Sequence, residues 1–175
     1  MRNIVVVPYD ENWPQEFEKI KAEILPVVED LILSIEHVGS TSVKGLYAKP
    51  IIDMNILIDD NGLLPAVTQR LAQLGYTHVG DLGIIGREAF KYADKPHLMA
   101  HHLYVCPKDS MEHKRQITFR DHLRLHPDDC EKYSNIKLEM AAKFPHDIDG
   151  YISGKQPVVL EIYEKCGLDI SYKQV

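Results

Sequence analysis

The stretch IEHVGSTSVKGLYAKPIIDMNILI, residues 35–58, decides the fold. A short apolar run at 35–38 leads into Gly39-Ser40-Thr41-Ser42. Residues 50–58 then read as the clearest strand of the chain, because β-branched side chains flank Asp53 and Asn55. Those two polar residues lie two apart and share one face of a pleated strand. Burying a charge without a partner is costly, so an aspartate inside an apolar strand asks for an explanation. A strand that ends in Gly-Ser and opens a turn exposes backbone N–H groups. With a serine hydroxyl, such groups can hold a phosphate oxygen. A carboxylate on the next strand, after a spacer of twelve residues, can hold a magnesium ion bound to that phosphate. The plainer alternative is a tight turn beside an edge aspartate satisfied by backbone N–H groups.

Upstream of this stretch, Asn12 suits a helix N-cap and Pro14 a first helical turn. Phe17, Ile20, Ile24, Val27, Val28 and Leu31 recur at helical spacing, predicting a helix from Trp13 to about Leu33 with a kink at Pro26. Downstream, Leu63, Leu64, Val67, Leu71 and Leu74 predict an amphipathic helix over 62–75, stopped by Gly75. Three short strands are expected at 76–79, 82–85 and 88–92, and another at 101–106. In the last of these, His102 and Tyr104 share one face while His101, Leu103 and Val105 share the other. The pattern then turns helical over 109–125 and 128–144, split by Pro127. A final helix is expected from about 156 to 166, opened by Pro157 and closed by Gly167. The expectation is a single α+β domain over 1–175, a small mixed sheet flanked by helices with a helical C-terminal third.

Composition supports one ordinary globular domain. The chain has 175 residues, of which 45% are hydrophobic and 26% charged. Its formal net charge is −6, which argues against binding a nucleic-acid backbone. Residues 1–60 carry 11 acids against 5 bases, while 61–175 carry 15 of each, so a basic site has to be built in the later part. Three widely spaced cysteines without CxxC argue against a disulfide framework or zinc knuckle. The apolar run before Pro8 is too short for a signal peptide or membrane span, so the expected location is the cytoplasm, without membrane contact.

The quoted stretch closely resembles the signature of the GrpB family, the glutamate-rich proteins. Matching segments are VPYDENWPQEF (7–17), FKYA (90–93), HHLYV (101–105), FRDHLRLHP (119–127), YSNIKLEMA (133–141) and Tyr151 with Lys155. They run in the family's order over roughly 5–165. The resemblance implies a nucleotidyltransferase-like fold, whose hallmark is Gly-Ser or Gly-Gly, then acid-x-acid on a strand, with a third acid on a neighbouring strand. Two positions depart from it. Asn55 replaces the second acid, and the neighbouring strand offers His102 or Tyr104 where the third would be sought. Two-metal nucleotidyl transfer needs enough carboxylates to hold both ions. What the resemblance leaves is one divalent ion, magnesium or manganese, at Asp53, or a site completed by substrate phosphates, with Asn55 and His102 completing the metal or substrate shell. No organic cofactor is expected.

The basic residues form the second constellation. Lys49 precedes the Asp53 strand, and Arg87 and Lys91 lie within 86–92. Arg120 and Arg124 stand one helical turn apart. Lys137 interrupts the stripe Tyr133, Ile136, Met140, Ala141, Phe144, and Lys155 follows Tyr151 by four. Surface salt bridges would account for all of them, since 26 acids are available. The resemblance instead places Arg120, Arg124, Lys137 and Lys155 at a pocket, as converging cations for phosphate. Gly39, Ser40 and Thr41, with Lys49 and Lys91, complete the expected phosphate site. His37 is a general-base candidate by position. Nine histidines without HxH or HExxH argue against catalytic zinc. Ser40 and Ser42 lack a GxSxG elbow, and there is no GxxxxGK[ST] loop.

Two functions follow as expectations. The first is an enzyme that moves a nucleotidyl or phosphoryl group from a nucleotide onto a small acceptor. The second is a binding module that keeps the pocket without two-metal chemistry and takes a phosphorylated or acidic small molecule.

Overall fold

Alternation within residues 52–58 sets the architecture. Ile52, Met54, Ile56 and Ile58 are fully buried on one face, and Asp53 and Asn55 belong to the other. Each buried isoleucine contributes roughly 1.5–3 kcal/mol. The computed structural model describes residues 3–169. Its strands are β1 (Ser34–Val38), β2 (Ile52–Ile58), β3 (Tyr76–His78), β4 (Glu88–Tyr92) and β5 (His101–Pro107). Its helices are α1 (Trp13–Val28), α2 (Leu64–Ala72), α3 (Met111–Leu125), α4 (Pro127–Lys143) and α5 (Ile148–Lys165).

The sheet order is β1–β2–β5–β4–β3. Only the β2–β5 pairing is parallel, so the sheet is mixed as expected. Register places Asp53 beside His102 and Asn55 beside Tyr104. The main core packs α1 and α2 against the even-numbered residues of β2 and against Leu103 and Val105 of β5. A second cluster joins Val43 and Leu46 to Leu123, Cys130, Tyr133 and Ile162 of the helical third. The turn at 39–42 thus sits between the two cores. All three cysteines are free thiols. Among the described residues, no helix is long and apolar enough to cross a membrane.

Three elements differ from the sequence reading. Helix α1 ends at Val28, because Leu31 and Ile32 continue the apolar pattern from a turn that still packs on the core. The strand expected at 82–85 is absent. Gly80, Gly83 and Gly86 and also Leu82 take positive φ, and the Asp81 carboxylate accepts from the Gly83 N–H, so the pleat cannot form. Helix α5 begins at Ile148, capped by the Asp147 carboxylate, and Pro157 lies in its interior.

Two glycines explain the last difference. A Cβ at Gly154 would meet Met140 Sδ at 2.1 Å and Cγ at 2.9 Å, and one at Gly150 would meet Phe144 Cδ1 at 2.6 Å. Close approach of α5 to α4 therefore holds together a helix that propensity disfavours. Gly154→Ala gains up to about 1 kcal/mol of helix propensity, but overpacks against a buried Met140 at a cost of about 1–3 kcal/mol. The net expectation is a lower melting temperature by thermal circular dichroism. An unchanged or higher value would show that Met140 repacks freely.

Candidate functional site

Gly39 brings the two halves of the site together. It has φ +71 and ψ −172, a region that is essentially glycine's alone. A Cβ there would lie 2.5 Å from Asp53 Oδ2, so the missing side chain is the space that Asp53 occupies. After Gly39, a single 3-10 turn is held by the Ser42 hydroxyl donating to the Gly39 carbonyl at 2.6 Å. The Thr41 hydroxyl donates to the Ile51 carbonyl at 3.3 Å, tying the turn to the start of β2. Ser40 is left facing the helical third.

There it meets Lys137. The Lys137 ammonium donates to Ser40 Oγ at 2.5 Å and to the Tyr47 carbonyl at 2.9 Å, and lies 4.1 Å from the Tyr133 ring centre. Lys137 is 2% exposed and makes no ion pair with a carboxylate among the described residues. Burial pushes its pKa well below the ordinary lysine value, and the nearby Lys155 charge adds to that. Lys155, 4.2 Å from the centre of the Tyr151 ring, is pushed down to about 8 by burial and then by Lys49, with Asp53 opposing. The Lys49 ammonium also approaches Tyr151, 5.8 Å from its ring centre.

Ser40, Lys49, Lys137, Tyr151 and Lys155 line one cavity of about 370 Å³, together with Asp53, His102 and Arg87. Asp53 Oδ1 is 2.7 Å from His102 Nδ1, a contact that joins neighbouring strands across the parallel pairing. A second cavity, of about 260 Å³, shares Ser40, Asp53 and Arg87 with the first and is walled by Gly39, Phe119, Arg120, Tyr133 and Tyr163. Arg87 stands at the junction. Its guanidinium lies 4.2 Å from the Tyr104 ring centre, and its buried Nε–H has no partner among the described residues.

The expected site residues divide accordingly. Ser40, Thr41, Lys49, Asp53, His102, Lys137 and Lys155 meet at the first cavity, and Gly39 and Arg120 border the second. Arg120 is already engaged, donating to the His37 carbonyl at 3.0 Å and to Asp121 at 2.8 Å. Arg124 gives Nε and Nη2 to the Ser42 carbonyl, at 3.1 and 2.7 Å. Both arginines therefore brace the turn. Lys91 is exposed and does not line the first cavity; it lies beside His101 in an adjoining depression that shares Ile51 and His102 with it. Asn55 is completely enclosed, and its amide donates to Gln116 at 2.5 Å and contacts His113 Nδ1 at 3.0 Å. His37 stacks on Phe17 at 4.7 Å, and its Nε2 sits 3.0 Å from the Thr41 hydroxyl. Burial holds its pKa at about 4, so it is neutral at ordinary pH and serves the turn.

Arg87, counted among the basic residues of 86–92 but not carried into the expected phosphate site, lines both cavities. It sits one position before β4, after a glycine turn, where neither strand parity nor helical period indicates a direction. Tyr133 stands in the sequence as a helix-stripe residue and Tyr151 only as a matching position of the family resemblance; neither is expected there as a wall of the site.

The donor set is a poor fit to divalent ions. Among the described residues, no three His, Cys, Asp or Glu side chains gather where they could hold one. Asp53 has one oxygen engaged by His102 and the other against Gly39, and the surrounding charges are lysines.

Comparison with known proteins places this geometry among relatives. The family pattern described as GrpB protein matches residues 3–165. Glutamate-rich protein GrpB of Alkalihalophilus pseudofirmus is 32% identical over 162 residues, covering 91% of this chain and 93% of that one. UPF0157 protein YqkA of Bacillus subtilis is 33% identical over 154 residues, covering 88% of this chain but only 44% of the relative, so this chain spans less than half its length. The crystal structure of conserved protein GrpB from Enterococcus faecalis aligns with a TM-score of 0.78 and 27% identity, over 92% of this chain and 98% of that chain.

Proposed function

We propose that this chain, which belongs to the GrpB family, binds a phosphorylated or otherwise polyanionic small molecule in the cavity between the turn at 39–42 and the lysines of α4 and α5. One observation carries the reading. Lys137 is buried against neutral oxygens, without a carboxylate, and Lys49, Lys155 and Arg87 converge on the same space. Burying an ammonium without a counter-charge is costly. An anionic ligand supplies that counter-charge through charge-assisted hydrogen bonds.

Thermal-shift measurements with tripolyphosphate, nucleoside triphosphates and sugar phosphates test it. A ligand at 100 times its dissociation constant adds about 2.7 kcal/mol, a shift of roughly 5–10 °C for a domain of this size. Absence of any shift across the panel overturns the reading.

The Asp53–His102 contact favours a second reading, transfer of a nucleotidyl or phosphoryl group to a small acceptor on a nucleotidyltransferase-like fold. The magnesium or manganese expected at Asp53 belongs to it, and the donor set argues against that ion. Product formation from a nucleoside triphosphate that disappears in Asp53→Ala would establish this second reading. Ligand binding without turnover leaves the first.

A further inference from the structure

We infer that the cavity binds its anion without a divalent cation, with Lys49, Lys137 and Lys155 supplying the positive charge that a metal would otherwise bring. This rests on the anion-binding reading above and specifies how that site works.

The positions that would complete a metal shell are closed one by one. Asn55 is 0% exposed and lies under α3, with its Nδ2 held by Gln116 and His113; its Oδ1 has no partner among the described residues but is buried away from the cavity that Asp53 lines. Tyr104, beside Asn55 on β5, is covered by the Arg87 guanidinium 4.2 Å from its ring centre. Only Asp53 and His102 remain at the cavity wall, and they satisfy each other at 2.7 Å. Against that single carboxylate stand Lys49, Arg87, Lys137 and Lys155 on the same wall. A divalent cation entering here meets like charges, whereas a bare polyphosphate meets donors on several sides. At the turn the Lys137 ammonium touches the Ser40 hydroxyl, and the buried Arg87 Nε–H has no partner among the described residues. The lysines lie on elements far apart in the chain, before β2 and on α4 and α5, so the cluster is a product of the fold. Lys137 and Lys155 lie over the rings of Tyr133 and Tyr151, whose faces favour cations.

Isothermal titration with inorganic tripolyphosphate, in chelator and then in excess magnesium chloride, decides between a bare and a metal-bound anion. Binding in chelator that weakens about tenfold or more with magnesium supports the inference. Binding that appears or tightens only with magnesium overturns it while leaving the anion site standing. No binding under either condition overturns both. Two further readouts carry opposite signs under the two alternatives. Asp53→Asn keeps a partner for His102 and removes a negative charge from the cavity lining, so tripolyphosphate should bind more tightly in chelator; weaker binding overturns the inference and points to a metal held by Asp53. Titration of the protein alone with manganese, followed by electron paramagnetic resonance, should show no tight site, and a saturable one overturns the inference.

Discussion

Lys137→Met is expected to stabilise the protein and abolish tripolyphosphate binding in the same step. Methionine matches the length and flexibility of the lysine stem and needs no counter-charge. The substitution loses hydrogen bonds to Ser40 and the Tyr47 carbonyl, worth about 1 kcal/mol each. Against this stands the cost of a buried ammonium without a carboxylate, which for ions in protein interiors is several kcal/mol. A net gain of about 1–2 kcal/mol is expected, read by urea unfolding at pH 7. A destabilised variant that still binds would place Lys137 in a purely structural role.

The pH dependence carries the same signature. A lysine whose folded pKa lies below its unfolded value binds fewer protons when folded, so stability rises with pH between the two values. For Lys155 that window runs from about 8 to 10.5. The slope is at most about 1.4 kcal/mol per pH unit for each such lysine, and less for Lys155, which is only partly enclosed. Wild-type stability should therefore increase from pH 7 to 9.5 while anion affinity falls, as the lysines lose the protons that the ligand needs. In Lys137→Met the stability slope should flatten.

The second large effect is expected at Gly39. Gly39→Ala forces a side chain into a backbone conformation that costs about 1–3 kcal/mol by itself. It also sets a Cβ 2.5 Å from Asp53 Oδ2 and 2.9 Å from Asp53 Cβ. Asp53 is held by His102 on β5 and cannot retreat without breaking that contact. A loss of about 3 kcal/mol or more is expected, within the range reserved for strained or overpacked sites, together with loss of anion binding. A cycle with Asp53→Ala separates the two causes. The clash with the Asp53 carboxylate should be relieved in the double variant, while the close approach to the residue-53 Cβ and the backbone part should persist. Stability of Gly39→Ala close to wild type would mean that the turn reshapes and that the Gly39–Asp53 approach is not what positions Ser40.

Much of the site was legible because its central geometry obeys a short period. Alternation along β2 and β5 is enough to put Asp53 and Asn55 on one face and His102 and Tyr104 on the matching one, and the register sets them side by side. The spacing from Gly39 to Asp53 likewise anticipates a turn folded against a carboxylate. Helical spacing puts Lys137 in an apolar stripe, where a lysine either snorkels to solvent or turns into a pocket, and the fold decides for burial.

Which cation serves the cavity was decided only by tertiary packing. Arg120 and Arg124 share a helix face, yet their guanidiniums are consumed by the carbonyls of residues 37 and 42 and by neighbouring acids. Arg87 reaches the site from a glycine turn that has no period to read. Helix α5 starts earlier than its proline suggests because Gly150 and Gly154 let it close against α4, and that contact carries Lys155 inward. A sequence determines backbone direction through local periods and turn chemistry. The partner of a long charged side chain is settled by elements up to a hundred residues away, since its reach exceeds the distance over which any local pattern extends.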